Sequence, residues 1–292
     1  MEKRNLDPYG RLFKGNLHTH TTLSDGVASS DEAVQWYREH GYDFVALTDH
    51  WRAGGPYTGN SGGILVIPGV ELHGTDPQLG TYHTVGLNIC DCPPEGSLRT
   101  LAEATAYIAE EGGLAVLCHP YWCGMTSAAV ERAEGVFALE VYNSTCELHI
   151  AKGLSAVHWD DVLVRRRHLW GLAVDDTHWR GDEGGGWVMV QADEFSVESL
   201  LAALADGRFY ATCGPDILDF YCENRHACAR TSPARRIAFI CDNWNGHLVR
   251  AGVGEDDITE AEFTVPDGVS YVRLEVDDRD HKRAWSNPIF LT

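Results

Sequence analysis

Short apolar runs alternate with segments of helical period over roughly the first 210 residues. Runs at 12–17, 44–47, 64–70, 83–89, 114–117, 137–142 and 169–174 have the length and composition of buried strands. Between several of them the pattern predicts helices, at 29–40, 98–111, 154–167 and 197–205. Ser29 with Glu32 three positions on forms a capping box, and Gly112-Gly113 and Gly207 supply helix stops. Alternation of this kind implies an α/β architecture with a mostly parallel sheet. About seven such units suit a barrel better than a short open sheet.

From residue 213 the pattern changes. β-like runs at 217–221, 237–240, 271–276 and 288–291 are separated by turn signals such as Asn245-Gly246 and Asp267-Gly268, with no helical period. The chain therefore divides into an α/β domain at 1–212 and a small β-rich module at 213–292. No internal repeat or low-complexity tract interrupts either part.

Composition narrows the function. Hydrophobic residues make up 44% of the 292, enough for a sizeable core. No apolar run approaches the ~20 residues of a membrane helix, and the start, MEKRNLDPYGR, has no apolar signal region; the default expectation is a cytoplasmic protein with no membrane partner. The nine cysteines are irregularly spaced without a CxxC pair, which argues for reduced, largely packing cysteines. A net charge of −20 repels polyanions, so long nucleic acid is not an expected partner. A small anionic substrate fits if bound metals supply positive charge. The oligomeric state is left open.

The chemistry lies where the predicted strands end. His18 and His20 follow the first run; Asp49 and His50 the second; Glu71 and His73 the third. His83 opens the fourth, and His119 follows the fifth. Glu140 and Asn143 end the sixth, and Asp175, Asp176 and His178 follow the seventh. In α/β barrels the carboxyl ends of strands open on one face. One histidine after a strand is an ordinary packing residue; a whole set at strand ends is a candidate metal site. His-x-His places both imidazoles on one side of the pleat, and imidazole with carboxylate suits Mn2+, Zn2+ or Fe2+. The donors outnumber what one ion can use. His40, His149, His158, His168, His226, His247 and His281 are scattered and read as structural or surface residues.

H-x-H followed by S-D-G, then T-D-H, G-V-E-L, a later H-P and finally D-x-H resemble, in order, the motifs of the PHP (polymerase and histidinol phosphatase) superfamily. The resemblance spans about the first 210 residues. It implies a distorted (β/α)7 barrel of PHP type that binds two or three divalent metal ions and hydrolyses phosphate esters. Carried over by position, His18, His20, Glu71 and Asp176 would hold a first ion. Glu71, His83 and His119 would hold a second, with Glu71 bridging, and Asp25, His50 and His178 a third. Many relatives have histidine where this chain has Asp25. Glu71, Asp176 and His178 are the expected catalytic residues, around a hydroxide shared by two ions, and Asp49 is expected to orient a ligand. Arg52 and Arg180, close behind the T-D-H and D-x-H motifs, and Tyr121, Trp122 and Asn143 after strand ends are candidate substrate or pocket contacts. The bland readings are solvated cations for the arginines and packing for the other three. The stretches GRFYATCGP, YVRLEV and AWSNPIFL are similar to a branch related to carbaryl hydrolase. That likeness keeps carbamate or carboxylic ester hydrolysis as a second reading; a non-catalytic, metal-stabilised binding module is a third.

Overall fold

Residues 2–165 and 167–291 are described by the structure, a computed structural model. Its first part runs β1 (Glu2–Arg4), β2 (Leu12–Asn16), α1 (Ser30–Glu39), β3 (Phe44–Leu47), β4 (Leu65–Asp76), β5 (Gly80–Leu87), α2 (Leu101–Glu110) and β6 (Leu114–Leu117). It continues with α3 (Ser127–Glu131), β7 (Val136–Asn143), α4 (Ser144–Ile150), α5 (Ala156–Val164), β8 (Trp170–Val174), β9 (Trp187–Gln191), α6 (Val197–Ala205) and β10 (Phe209–Thr212).

Local chemistry accounts for the helix starts. Ser29 and Glu32 close the expected capping box at α1, and Thr100 with Glu103 closes a second at α2. α2 therefore begins at Leu101, three residues later than the apolar pattern alone suggested. The helix expected at 154–167 is confined to α5, and Arg166 lies outside the described residues. The short helices α3 and α4 were not expected; Thr126 and Asn143 cap them, each accepting a backbone N–H three residues on.

The sheet departs from the expected barrel. β2, β3 and β4 pair in parallel, as do β6, β7 and β8. β5, however, is antiparallel to both β4 and β6, and β9 is antiparallel to β2 and β10. The cause is chain length: only residues 77–79 separate β4 from β5, enough for a hairpin but far short of a parallel crossover. β4 is also longer than the run at 64–70, so Glu71 and His73 lie within it, and His83 lies inside β5. The ladder does not close into a (β/α)7 barrel. β8 pairs with β7, and its far side meets the end of β2 through one isolated parallel bridge, Thr19 to Thr177.

The remaining strands are β11 (Ile217–Glu223), β12 (His226–Ala234), β13 (Arg236–Cys241), β14 (Gly246–Arg250), β15 (Ile258–Thr264), β16 (Tyr271–Asp277), β17 (Arg283–Ser286) and β18 (Ile289–Phe290). β17 pairs with β10, so the large sheet continues through β16 and β13 to β14. A second sheet has the order β1-β11-β12-β15. Phe220, Ile237, Phe239, Leu274 and Val276 fill the core of this region. Arg273 of β16, fully buried, reaches Asp160 of α5 with two bonds of 2.7 and 2.8 Å and Glu275 with one of 2.9 Å. The guanidinium also lies over Trp159. The nine cysteines are free thiols.

Candidate metal centre

The end of β2 is tied to the end of β8 by two backbone bonds, Asp176 N–H to His18 O and His20 N–H to Thr177 O. His18 and Asp176 are thereby brought together from opposite ends of the domain. Asn16 sets the same junction: it accepts from the Asp175 N–H and donates to His18 O, Thr19 Oγ1 and the Tyr37 hydroxyl. Asp175 is fully buried and accepts N–H bonds from Gly184, Gly185 and Gly186, fixing the loop after His178. Asp176 (φ 58°) and His119 (φ 28°) both sit in the left-handed region, a strain that surrounding structure must hold.

Four buried side chains converge. His18 Nε2 lies 3.1 Å from Glu71 Oε2 and 3.2 Å from Asp176 Oδ1. His20 Nε2 lies 3.0 and 3.1 Å from the same two oxygens. Despite these distances, neither Glu71 Oε2 nor Asp176 Oδ1 accepts a hydrogen bond; the atoms crowd together without donor–acceptor geometry. Glu71 Oε1 meets His83 Nδ1 at 2.7 Å and His119 Nε2 at 3.5 Å. The two oxygens of Glu71 thus face two groups of imidazoles.

A third group lies outward. Asp25 Oδ2 is 3.7 Å from His50 Nε2 and 3.5 Å from His178 Nε2. His178 Nδ1 bonds its own strand end at Asp176 O, 2.8 Å, which leaves Nε2 facing Asp25. These three gather with His20, and His18, His20, Glu71 and Asp176 gather separately, each set within reach of one ion.

The electrostatics reflect this crowding. Burial alone would push His18 toward the neutral form, but Asp176, Glu71 and Glu140 outweigh it and hold the ring well above the usual imidazole range. His20 is raised to about 9: burial opposes, and Asp176 and Glu71 prevail. Glu71 is held well below the carboxylate range by His18, His50 and His83, against its own burial. His50, chiefly through burial, falls to about 4. The imidazoles and carboxylates thus favour one another's charged forms, a balance that a divalent cation would take over.

Supporting groups orient the donors. Glu140 takes the His18 Nδ1 proton at 2.6 Å, and its other oxygen accepts from the His119 N–H and Asn143 Nδ2. Asn143 also donates to Asp176 Oδ2. Fully buried and committed to these bonds, Asn143 positions carboxylates and is not part of the cavity lining. Asp49 accepts from the backbone and hydroxyl of both Thr21 and Ser24 and so pins the loop that carries Asp25; these bonds tie it to the loop and not to an imidazole.

A cavity of about 320 Å3 opens over the cluster, lined by Asp25, His50, Glu71, His83, His119, Asp176 and His178, by Trp122 as its place after a strand suggests, and by residues not expected there. Trp122 packs against His83 and His119, and Trp179 against His178 and His149. Thr145, Cys146, His149 and Ile150 of α4 supply another wall. Among the described residues no lysine or arginine lines it. Of the other candidate contacts, Arg180 points outward to pair with Glu32 at 2.9 Å, Arg52 bonds the Trp51 carbonyl, and Tyr121 packs near His158.

His73 and Glu140 belong to the strand-end set of the sequence but are given no ion by its motifs, and His149, read from sequence as a structural or surface residue, lines the cavity instead. His73 shares the pleat face of Glu71, pairs across the hairpin with His83 and has Nδ1 3.1 Å from His50 Nδ1. The spacing Glu71-x-His73 repeats that of His18-x-His20, and was the available signal. His149 carried no such mark, because α4 itself was not foreseen.

Among solved structures the chain resembles a two-domain protein from Bacteroides vulgatus described as containing a predicted PHP-like metal-dependent phosphoesterase. The TM-score is 0.55 and the identity 16%, over 98% of this chain and 96% of that one. It also resembles an amidohydrolase from Chromobacterium violaceum with bound sulfate and no metal: TM-score 0.47, 17% identity, 67% of this chain and 96% of the other. No protein-family model matches the sequence, and no curated protein does. At such identity the first likeness is one of fold, and it extends over the whole two-part chain.

Proposed function

We propose that the chain is a metal-dependent phosphoesterase of PHP type acting on a small phosphate ester. The meeting of His18, His20, Glu71 and Asp176 carries this reading. Buried carboxylate oxygens without donors are costly, and a cation within reach of two imidazoles and two carboxylates removes that cost. The donor types suit Zn2+, Mn2+ or Fe2+.

We assign His18, His20, Glu71 and Asp176 to one ion, Glu71, His83 and His119 to a second, and Asp25, His50 and His178 to a third. Held there, such ions supply Lewis acidity toward a phosphoryl oxygen and a water more acidic than bulk. The chain's own residues do the rest. Glu140 and the Asp176 carbonyl fix the tautomers of His18 and His178. Trp122 and Trp179 flank the space for the ester. The cavity size suits a small molecule, and its lack of fixed cations, like the net charge of −20, disfavours a long polyanion. Residues 1–212 carry the site in this reading, and 213–292 brace it through Arg273 and Asp160.

The test strips the protein of metal and assays p-nitrophenyl phosphate before and after adding Mn2+ or Zn2+. Phenyl acetate and a phenyl carbamate are run beside it. Activity indifferent to metal, or confined to the carboxylic and carbamic esters, overturns the proposal.

A further inference from the structure

Hydrolysis of a phosphate ester leaves an alkoxide that needs a proton, and the cavity offers few groups to give one. Apart from the side chains assigned to metals, its walls are Trp122, Thr145, Cys146, His149, Ile150 and Trp179. Tryptophan and isoleucine have no proton to transfer at neutral pH. A threonine hydroxyl is no stronger an acid than the alcohol it would protonate. Burial pushes the Cys146 thiol up, far from any role as a donor. His149 remains.

Its setting is built. His149 Nε2 lies 3.0 Å from Asp182 Oδ1, and the ring packs on Trp179 with centroids 5.1 Å apart. Asp182 is buried, and its Oδ2 accepts the N–H groups of His178 and Trp179 at 3.1 and 2.9 Å. The carboxylate that holds His149 is therefore fixed by the loop carrying His178. With Nε2 committed to Asp182, Nδ1 is left as the exchangeable position. The His149 side chain is 47% exposed, so solvent can recharge it.

We propose that His149 is the general acid of this site, an assignment that rests on the phosphoesterase reading. As the bond from phosphorus to the leaving oxygen breaks, its electron pair moves onto that oxygen. The imidazolium Nδ1 gives the oxygen its proton, and a neutral alcohol departs. Water supplies the hydroxyl that ends on phosphorus; its other proton passes to solvent, from which His149 regains one. Ester and water become alcohol and phosphate with no oxidant or reductant. Trp179 and Asp182 are positioning residues for the ring.

The experiment compares the wild type with His149→Ala and His149→Gln on two substrates, ethyl phosphate and p-nitrophenyl phosphate. Bound metal is counted, and binding of inorganic phosphate is measured calorimetrically. A general acid matters most when the leaving group is a poor one. Turnover of ethyl phosphate should fall about 10²–10⁴-fold, and that of p-nitrophenyl phosphate much less. Metal content and phosphate affinity should stay level, and added imidazole should restore part of the activity of the alanine variant. Equal losses on both substrates, or a loss of metal, overturn the assignment while leaving the phosphoesterase reading intact. A metal-loaded wild type that hydrolyses neither ester overturns both.

Discussion

His18 donates from Nδ1 to Glu140 Oε1 across 2.6 Å, so Nε2 is the nitrogen that faces Glu71 and Asp176. Both residues are buried, and the second oxygen of Glu140 is held by His119 N–H and Asn143 Nδ2. A carboxylate behind a ligating imidazole fixes its tautomer and raises its basicity. Glu140→Gln keeps the shape and removes the charge. It should weaken metal binding by about 10–100-fold with the fold unchanged, as read by chelator competition and circular dichroism. Unaltered affinity would show that His18 needs no such support.

Glu71 faces both inner donor groups, through Oε2 to His18 and His20 and through Oε1 to His83 and His119. On the proposed assignment, replacing it disturbs two ions at once. Glu71→Gln should lower the metal count by more than one ion per chain and abolish ester hydrolysis. His178→Ala, in the outer group, should lower the count by one at most. Elemental analysis of the purified variants separates the two outcomes. Equal losses in both would argue against Glu71 as the shared ligand.

Part of this site was legible because several donors have a sequence neighbour with a fixed geometric relation to them, as in His18-x-His20 and Asp176-x-His178. His18 and His20 share a pleat face, so their convergence followed from the strand period. The order of strands then brought Asp176 to them. What was not legible depended on geometry without periodic signature. The β4–β5 hairpin turned His73 and His83 toward each other, and its three-residue connection broke the parallel order expected of the sheet. Arg52 and Arg180 stand beside ligands in sequence, yet local partners, the Trp51 carbonyl and Glu32, draw them aside. Asn143 lies at a strand end as expected, but it caps α4, and a capping side chain points back into its own helix.

The same hairpin carries a stability prediction with a defined pH dependence. Asp76, at the end of β4, accepts the N–H groups of Gln78, Leu79 and Leu101. Burial opposes its ionisation, but these three donors prevail and lower its pKa. A carboxyl lowered on folding contributes stability at pH values above its unfolded pKa, near ~3.9, and loses it as pH falls through the folded pKa. Asp76→Asn should therefore cost about 1–3 kcal/mol at pH 7, a gap that narrows steadily below about pH 4. Urea unfolding at several pH values measures it. A gap that stays constant into acid would exclude the carboxylate charge as its source.

Arg273 offers the clearest test of how the β-rich region supports the rest. Its guanidinium is wholly buried between Asp160 of α5 and Glu275 of its own strand, with Trp159 beneath it. Removing one partner of such a set leaves charge stranded in a dry interior, which typically costs about 3–5 kcal/mol. Arg273→Ala should show a loss of that size in chemical denaturation. Asp160→Asn should lose less, because Glu275 still pairs with the buried guanidinium and the asparagine oxygen can still accept from it. If residues 213–292 brace the metal-bearing part through this contact, the unfolding of both parts should move together in Arg273→Ala. Near-ultraviolet circular dichroism would report Trp159 and Trp285, and metal release would report the site. Separate transitions, with metal retained after the tryptophan signal has changed, would show that the two regions are energetically independent despite their shared sheet.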